Sequence, residues 1–230
     1  ECVKKSNPEK IKYLDEKKLR LMKKYLKQCY YDKGFLTVEI LDPLIIPFNK
    51  DTYNVVFRIK ENQLPTLGKI SFLGVDDHSS LEIKKRLSFQ EGFPFNPLEM
   101  SANKDLVINY LKEQGYLEAT ISNYNESMLS YKETIDEVDL TYSVEQGKKY
   151  RLDKVVILGL NKTKFKLIHR KWEKLKNSTI TALLLNKMDA DLRASNLFQK
   201  FSLDVVPNPI EKDFADIVVN VQEKKYGTVE

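Results

Sequence analysis

The chain has few of the residues an active site needs. Two cysteines and two histidines are spread over 230 residues. Cys2 and Cys29 have no CxxC partner, and His78 and His169 stand far apart, so the sequence supports no metal site. It holds no nucleophile elbow, no phosphate-binding glycine loop and no zinc-binding His pair. The nearest approach to a catalytic trio, Asp76-Asp77-His78, falls between a strand and a helix, where turn and capping chemistry accounts for it. We therefore expect no enzyme, no catalytic residue, no cofactor and no metal. No apolar run reaches the length of a membrane-spanning helix. Charge of one sign is scarce too: 38 Lys and Arg against 33 Asp and Glu leave a net charge of +5. The two signs interleave along most helices, as on a solvated surface, with no clustering towards nucleic acid or an anionic membrane.

A repeat is what the chain does have. Lys69-Ile70-Ser71-Phe72-Leu73-Gly74 returns as Lys154-Val155-Val156-Ile157-Leu158-Gly159, an offset of 154 − 69 = 85 residues. Each copy follows an apolar strand ending in charge, Val55 to Glu61 and Leu140 to Gly147. A third such strand, Ile217 to Glu223, has no follower. The middle unit reads strand, helix, helix, strand, strand. Its first helix begins at Ser79 with Glu82 completing a capping box. Its second opens at Asn96-Pro97-Leu98-Glu99, with Asn as cap and Pro at the first helical position, and stops at Gly115. Tyr116 to Tyr124 reads as a strand, Asn125 to Glu133 as a polar loop, and Val138 to Val144 as a strand. In the third unit the apolar stripe Phe165, Ile168, Trp172, Leu175 marks one helix and Thr181 to Ser195 another, broken at Asn196. Phe201 to Val206 and Phe214 to Val221 follow as strands. The first unit keeps a helix over Asp15 to Lys33 and strands Phe35 to Leu41 and Tyr53 to Lys60. Cys29 shares an apolar face with Leu19, Met22, Leu26 and Tyr30, which favours a buried free thiol over a disulfide with Cys2. The missing first strand, and an opening Glu1-Cys2-Val3 without Met, predict that this unit is truncated.

These marks resemble tandem POTRA domains of the outer-membrane β-barrel assembly family, of the BamA or TamA type. They are the junction Tyr142-Ser143-Val144-Glu145-Gln146-Gly147 into Val155 to Gly159, the helix ends Tyr30-Tyr31 to Gly34-Phe35 and Gly115-Tyr116, and the closing Val221-Gln222-Glu223-Lys224-Lys225-Tyr226-Gly227. The usual glutamate-glycine junction is Glu61-Asn62, Gln146-Gly147 and Glu223-Lys224 here, and the third unit lacks the glycine after its second helix. The resemblance implies an α+β fold of tandem β-α-α-β-β modules, each a three-stranded sheet covered on one face by two helices. The expected modules are 1–62 (truncated), 63–147 (complete) and 148–226 (membrane-proximal), with 227–230 starting a connection to a barrel absent from the piece. It also implies a periplasmic, non-enzymatic region attached to the outer membrane through that barrel. Its partners would be unfolded outer-membrane proteins, accessory lipoproteins or periplasmic proteins, and its own C-terminal β-barrel, with no nucleic acid.

In such a sheet the second strand is outermost and offers unpaired backbone groups to an extended chain. The candidate edges carry Leu36, Val38 and Ile40; Leu117, Ala119 and Ile121; and Leu203 and Val205. The hairpin connection Leu41 to Phe48 is unusually apolar, and its two prolines are expected to prevent a continuous inner strand. Leu44, Ile45, Ile46 and Phe48 there either pack on their own or the next module or form a docking patch. Two rivals remain: a structural spacer array, and a KH-like nucleic-acid module. KH domains clamp nucleic acid with a GxxG loop between helices. The segments Gly92-Phe93-Pro94-Phe95 and Lys176-Asn177-Ser178-Thr179 do not have that pattern.

Overall fold

A computed structural model describes residues 15–50, 52–123, 125–131, 136–161 and 166–224. The chain forms two compact units, Glu1–Leu106 with Asn123–Ser143, and Val107–Ser122 with Val144–Glu230. The division passes through one helix and one strand, and each unit is an α+β assembly.

The first unit opens with helix α1 (Glu16–Asp32), capped by the Asp15 carboxylate, which accepts the Lys18 N–H at 2.8 Å. Its inner face contributes Leu26 to a small core with Val38 and Ile40, rimmed by Tyr30, Phe35, Phe57 and Ile59. Cys29 sits on the same rim but is disulfide-bonded, which corrects the expected free thiol. It is only partly buried. The other cysteine of the sequence, Cys2, lies outside the described residues.

After α1 the predicted long hairpin is broken. Strand β1 (Glu39–Ile40) pairs with β4 (Ile59–Lys60), and β2 (Leu44–Pro47) pairs with β3 (Tyr53–Val56), all antiparallel. Residues 35–38, expected as strand, form no strand and turn at 36 and 37, held by Leu36 N–H to Gly34 O and Val38 N–H to Phe35 O. The apolar connection is itself a strand. Pro43 lies just before β2 and Pro47 occupies its last position, so neither takes a donor from the interior of the ladder.

The same unit holds the first strand of the middle repeat, β5 (Thr66–Leu73), parallel to β8 (Glu137–Glu145). Helix α2 (Asp77–Arg86) follows. Its cap is Asp76 rather than Ser79: the Asp76 carboxylate accepts both the Ser79 N–H (2.9 Å) and Oγ (2.8 Å). Those two bonds hold Asp76 below the usual carboxylate range, so capping is its role. Helix α3 (Pro97–Glu113) starts as the sequence predicts, with Asn96 Oδ1 accepting the Leu98 N–H at 3.1 Å. Strand β7 (Leu129–Tyr131) lies antiparallel to β8 on the side away from β5. Val138, Leu140 and Tyr142 of β8 are fully buried, and Tyr142 stacks on Phe72 with ring centres 5.4 Å apart.

In the second unit, the two-residue β6 (Thr120–Ile121) pairs with the end of β8. Strand β9 (Arg151–Leu158) runs parallel to β11 (Phe214–Glu223), which is antiparallel to β10 (Phe198–Pro207), giving the order β10-β11-β9. Helices α4 (Lys166–Glu173) and α5 (Ala182–Ser195) supply Trp172, Met188 and Leu192 to a core with Ala215, Ile217 and Val219. Of the stripe predicted on α4, Trp172 is buried and Leu175 half-buried; Phe165 and the Ile168 side chain lie outside the described residues. Trp172 Nε1 donates to Asp191 Oδ2 at 3.2 Å.

The 85-residue repeat extends to backbone hydrogen bonds. The segment between the two helices folds back onto the outer edge of the first strand. Leu67 N–H donates to Phe93 O (2.7 Å), Gly92 N–H to Leu67 O (2.6 Å) and Phe95 N–H to Pro65 O (2.8 Å). Their counterparts 85 residues on are Leu152 to Ser178 (2.9 Å), Asn177 to Leu152 (2.8 Å) and Ile180 to Tyr150 (2.8 Å). Left-handed residues recur at the same offset: Asn62 with Gly147, Gly74 with Gly159, and Gly92 with Asn177. Asparagine and glycine exchange at two of these because both tolerate positive φ. That accounts for the Glu61-Asn62 departure at the first junction.

Two side chains brace the middle repeat. Asn103 is fully buried; its Oδ1 accepts the Ser88 N–H (2.8 Å), and its Nδ2 donates to Ser88 Oγ (2.9 Å) and Glu99 O (2.8 Å). Glu91 Oε1 accepts the Ile70 N–H (2.9 Å) beside the β5 bulge and pairs with Lys84 Nζ (2.9 Å). Replacing the fully buried Asn103 with Ala removes these three hydrogen bonds and should cost about 1–3 kcal/mol in urea unfolding. A change under half a kcal/mol would mean that water replaces the amide. The Ile70 N–H, and then Lys84, hold the Glu91 carboxyl below its ordinary value. Its stabilisation is therefore present above the ordinary carboxylate range and lost as pH falls through the lowered value. Glu91→Gln, uncharged throughout, should make stability less steep in pH across that window.

Candidate functional site

An exposed sheet edge is a row of unused donors and acceptors, so the question is which edges are open. The first strands are not: the inter-helix segments cover the start of both β5 and β9. Further along β9, His169 Nε2 of α4 lies 3.4 Å from Val155 O. The opposite side of each sheet, at the second strand, has no strand partner among the described residues.

The second strands differ in length. β10 pairs with β11 from Phe198 to Pro207 and leaves a long outer edge. Its side chains alternate. Phe201, Leu203 and Val205 are half-buried against the core, while Ser202 and Asp204 face the open side. There Ser202 Oγ donates to Asp204 Oδ2 at 3.0 Å, and Asn220 Nδ2 donates to the same oxygen at 3.1 Å. Arg193 of α5 covers Phe201, 5.2 Å from the ring centre, and is itself held by Asp189 at 2.7 Å.

In the middle repeat the predicted strand Tyr116 to Tyr124 shrinks to Thr120–Ile121, and the strand resumes at β7, inside the stretch read as loop. A 3-10 turn at Asn125–Met128 separates the pieces. Asn123 spans the gap: Oδ1 accepts the Ser143 N–H (2.8 Å) and Nδ2 donates to Thr141 O (2.7 Å). A side-chain amide thus does what a strand backbone would. Leu117 lies in a turn, and Ala119 and Ile121 are buried, so these edge candidates offer backbone rather than side chain. The same holds in the first unit. Leu36 is in a turn, Val38 is buried outside any strand, and Ile40 is buried in the two-residue β1. Only Leu203 and Val205 lie on a long, open strand.

Beside each second strand is a groove that the sequence reading missed. In the first unit it has about 700 Å³ and is lined by Tyr31, Leu36, Phe95, Leu98, Met100 and Tyr131 among others. In the second unit it has about 310 Å³, with Lys112, Leu117, Leu185, Val205 and Pro207 in its wall. Leu36 and Leu117 are matching residues after a helix-ending glycine, and Met100 and Leu185 differ by 185 − 100 = 85. A groove joins residues far apart in sequence, and only the repeat offset could have pointed to it.

The β2–β3 hairpin presents Leu44, Ile45 and Ile46 at 46%, 46% and 47% exposure and Phe48 at 72%. Tyr53 and Val56 are exposed on its other strand. No group of three or more His, Cys, Asp or Glu among the described residues is arranged to hold a metal. No helix of the described residues is long and apolar enough to cross a membrane.

Residues 65–147 match the POTRA family model, described as a surface antigen variable number repeat. The chain is 30% identical over 162 residues to an outer membrane protein assembly factor BamA of Neorickettsia risticii, covering 69% of this chain and 21% of that protein. It is 23% identical over 203 residues to BamA of Neisseria meningitidis, covering 87% and 25%. The chain thus spans about a fifth to a quarter of these relatives. Among solved structures it is similar to Haemophilus influenzae BamA POTRA3-5, with a TM-score of 0.56 at 18% identity over 90% of this chain and 80% of that one. It is also similar to Haemophilus ducreyi BamA lacking POTRA domains 1-3, with a TM-score of 0.58 at 16% identity over 69% and 29%. At these identities the structures establish the fold.

Because the β2 side chains are exposed, alanine at Leu44, Ile45 and Ile46 should each change unfolding stability by less than about 0.5 kcal/mol. A loss of several kcal/mol in urea titration would show that the strand is a packing element instead.

Proposed function

This chain belongs to the POTRA family, and on that premise we propose that it is the periplasmic, non-catalytic region of an outer-membrane barrel assembly protein. It handles unfolded barrel precursors by accepting them as added strands. The modules are 1–62, 63–147 and 148–226, attached to the outer membrane through a barrel C-terminal to them. The observation that carries this reading is the open outer edge of β10, ten residues long and alternating in exposure. An added strand gains backbone hydrogen bonds whatever its sequence, which suits a surface that must accept many clients. Half-buried Leu203 and Val205, with the adjoining groove, give alternate apolar side chains of the guest a place to rest. The exposed β2–β3 hairpin is the docking element for an accessory lipoprotein or periplasmic partner, because its apolar side chains have no use in the local core.

The test is site-specific photocrosslinking in the 230-residue chain. Photoreactive residues replace Lys200, Ser202 or Val206 on β10, with Leu81 on α2 as an exposed control. An amphipathic strand peptide from an outer-membrane barrel should crosslink at the β10 positions. A shuffled peptide that keeps the apolar-polar alternation should compete with it. Equal labelling at Leu81, or no labelling at β10, would leave a spacer as the better reading.

A further inference from the structure

We propose that Gly34 and Gly115 are docking residues that couple one repeat to the next, and that their role as helix ends is secondary. Each follows the second helix of its repeat in the left-handed conformation, at φ 93° and 98°. Asn196 holds the matching place after α5, at φ 54°. All three make the same capping bond: Gly34 N–H to Tyr31 O (2.8 Å), Gly115 to Lys112 (3.1 Å) and Asn196 to Arg193 (3.1 Å). Capping alone therefore does not demand glycine, since asparagine does it with a full side chain. The two glycines sit at a larger φ than Asn196, and burial separates them as well. Gly34 and Gly115 are buried and Asn196 is exposed.

The buried pair face the same element of the following repeat. A Cβ on Gly34 would stand 2.5 Å from Phe95 O. A Cβ on Gly115 would stand 2.7 Å from Thr179 Cγ2 and 3.4 Å from Ile180 O. Phe95 and Ile180 are matching residues, 180 − 95 = 85, at the end of the inter-helix segment that folds onto the first strand. The missing Cβ lets the helix end of one repeat rest on the next, on the Phe95 backbone at Gly34 and on the Thr179 side chain at Gly115. That contact fixes the joint and sets the floor of the groove beside it, where Leu36 and Phe95 meet in the first unit. The glycine is thus the point at which the helix end of one repeat meets the inter-helix segment of the following repeat.

Gly115 allows a test that separates docking from capping. Asparagine tolerates positive φ better than other side chains, so Gly115→Asn keeps the capping N–H while adding a side chain whose Cβ meets Thr179 Cγ2. It should lower the melting temperature of the 230-residue chain by several degrees. It should also broaden the distance distribution between spin labels carried by non-natural residues at Glu113 and Leu183, leaving far-ultraviolet circular dichroism unchanged. Thr179→Ser removes the Cγ2 that the new Cβ meets, so the double variant Gly115→Asn/Thr179→Ser should recover most of both losses. Asn196→Gly should leave the label distances unchanged. A Gly115→Asn chain with wild-type melting and distances would overturn the proposal, as would a defect that Thr179→Ser fails to relieve.

Discussion

Each three-stranded sheet of this chain has one edge closed by its own repeat. The segment between the two helices turns back and bonds to the first strand, through Leu67 in one repeat and Leu152 in the next. The other neighbour of that strand is the central strand, β8 or β11, whose inner residues Val138, Leu140, Ile217 and Val219 are fully buried. A sheet whose first strand is covered at its start and whose centre is buried leaves its second strand as the open edge. Growth there costs no native contact, which makes that edge usable for binding without threatening the fold.

The same closure explains how the repeats connect. The inter-helix segment is both the seal on the first strand and the surface on which the preceding helix end rests at Gly34 or Gly115. Edge closure and docking are one arrangement seen from two sides. The small core around Leu26 holds helix α1 to β1 and β4.

Much of this was legible in the sequence because it rests on residues with one dominant local meaning. Asn96-Pro97 is a strong local helix start, and the duplicated hexapeptides lie in the first strands β5 and β9 up to their closing glycines, which fall just after the strands. Positions needing positive φ were visible as Gly or Asn. Errors arose where tertiary pairing decided. The apolar Leu44 to Pro47 became a strand because Tyr53 to Val56 offered a partner, despite its prolines. The strand near Thr120 was cut short because Asn123 could replace backbone pairing with a side-chain amide. Asp76 displaced Ser79 as helix cap because it reaches two donors at once. Of the residues expected on edges, Leu203 and Val205 lie on a long strand because β10 alternates from Lys200 to Val206; Val38, Ala119 and Ile121 are buried in cores that use them.

The central claim is that the outer edge of β10 accepts an extended chain as a fourth strand. It is tested most directly by isotope-edited nuclear magnetic resonance of the labelled chain with an unlabelled strand peptide. The account predicts cross-strand contacts between backbone protons of Lys200 to Val206 and the peptide, with the peptide's amides slowed in exchange. Contacts confined to helix side chains, with β10 amides unchanged, would contradict it.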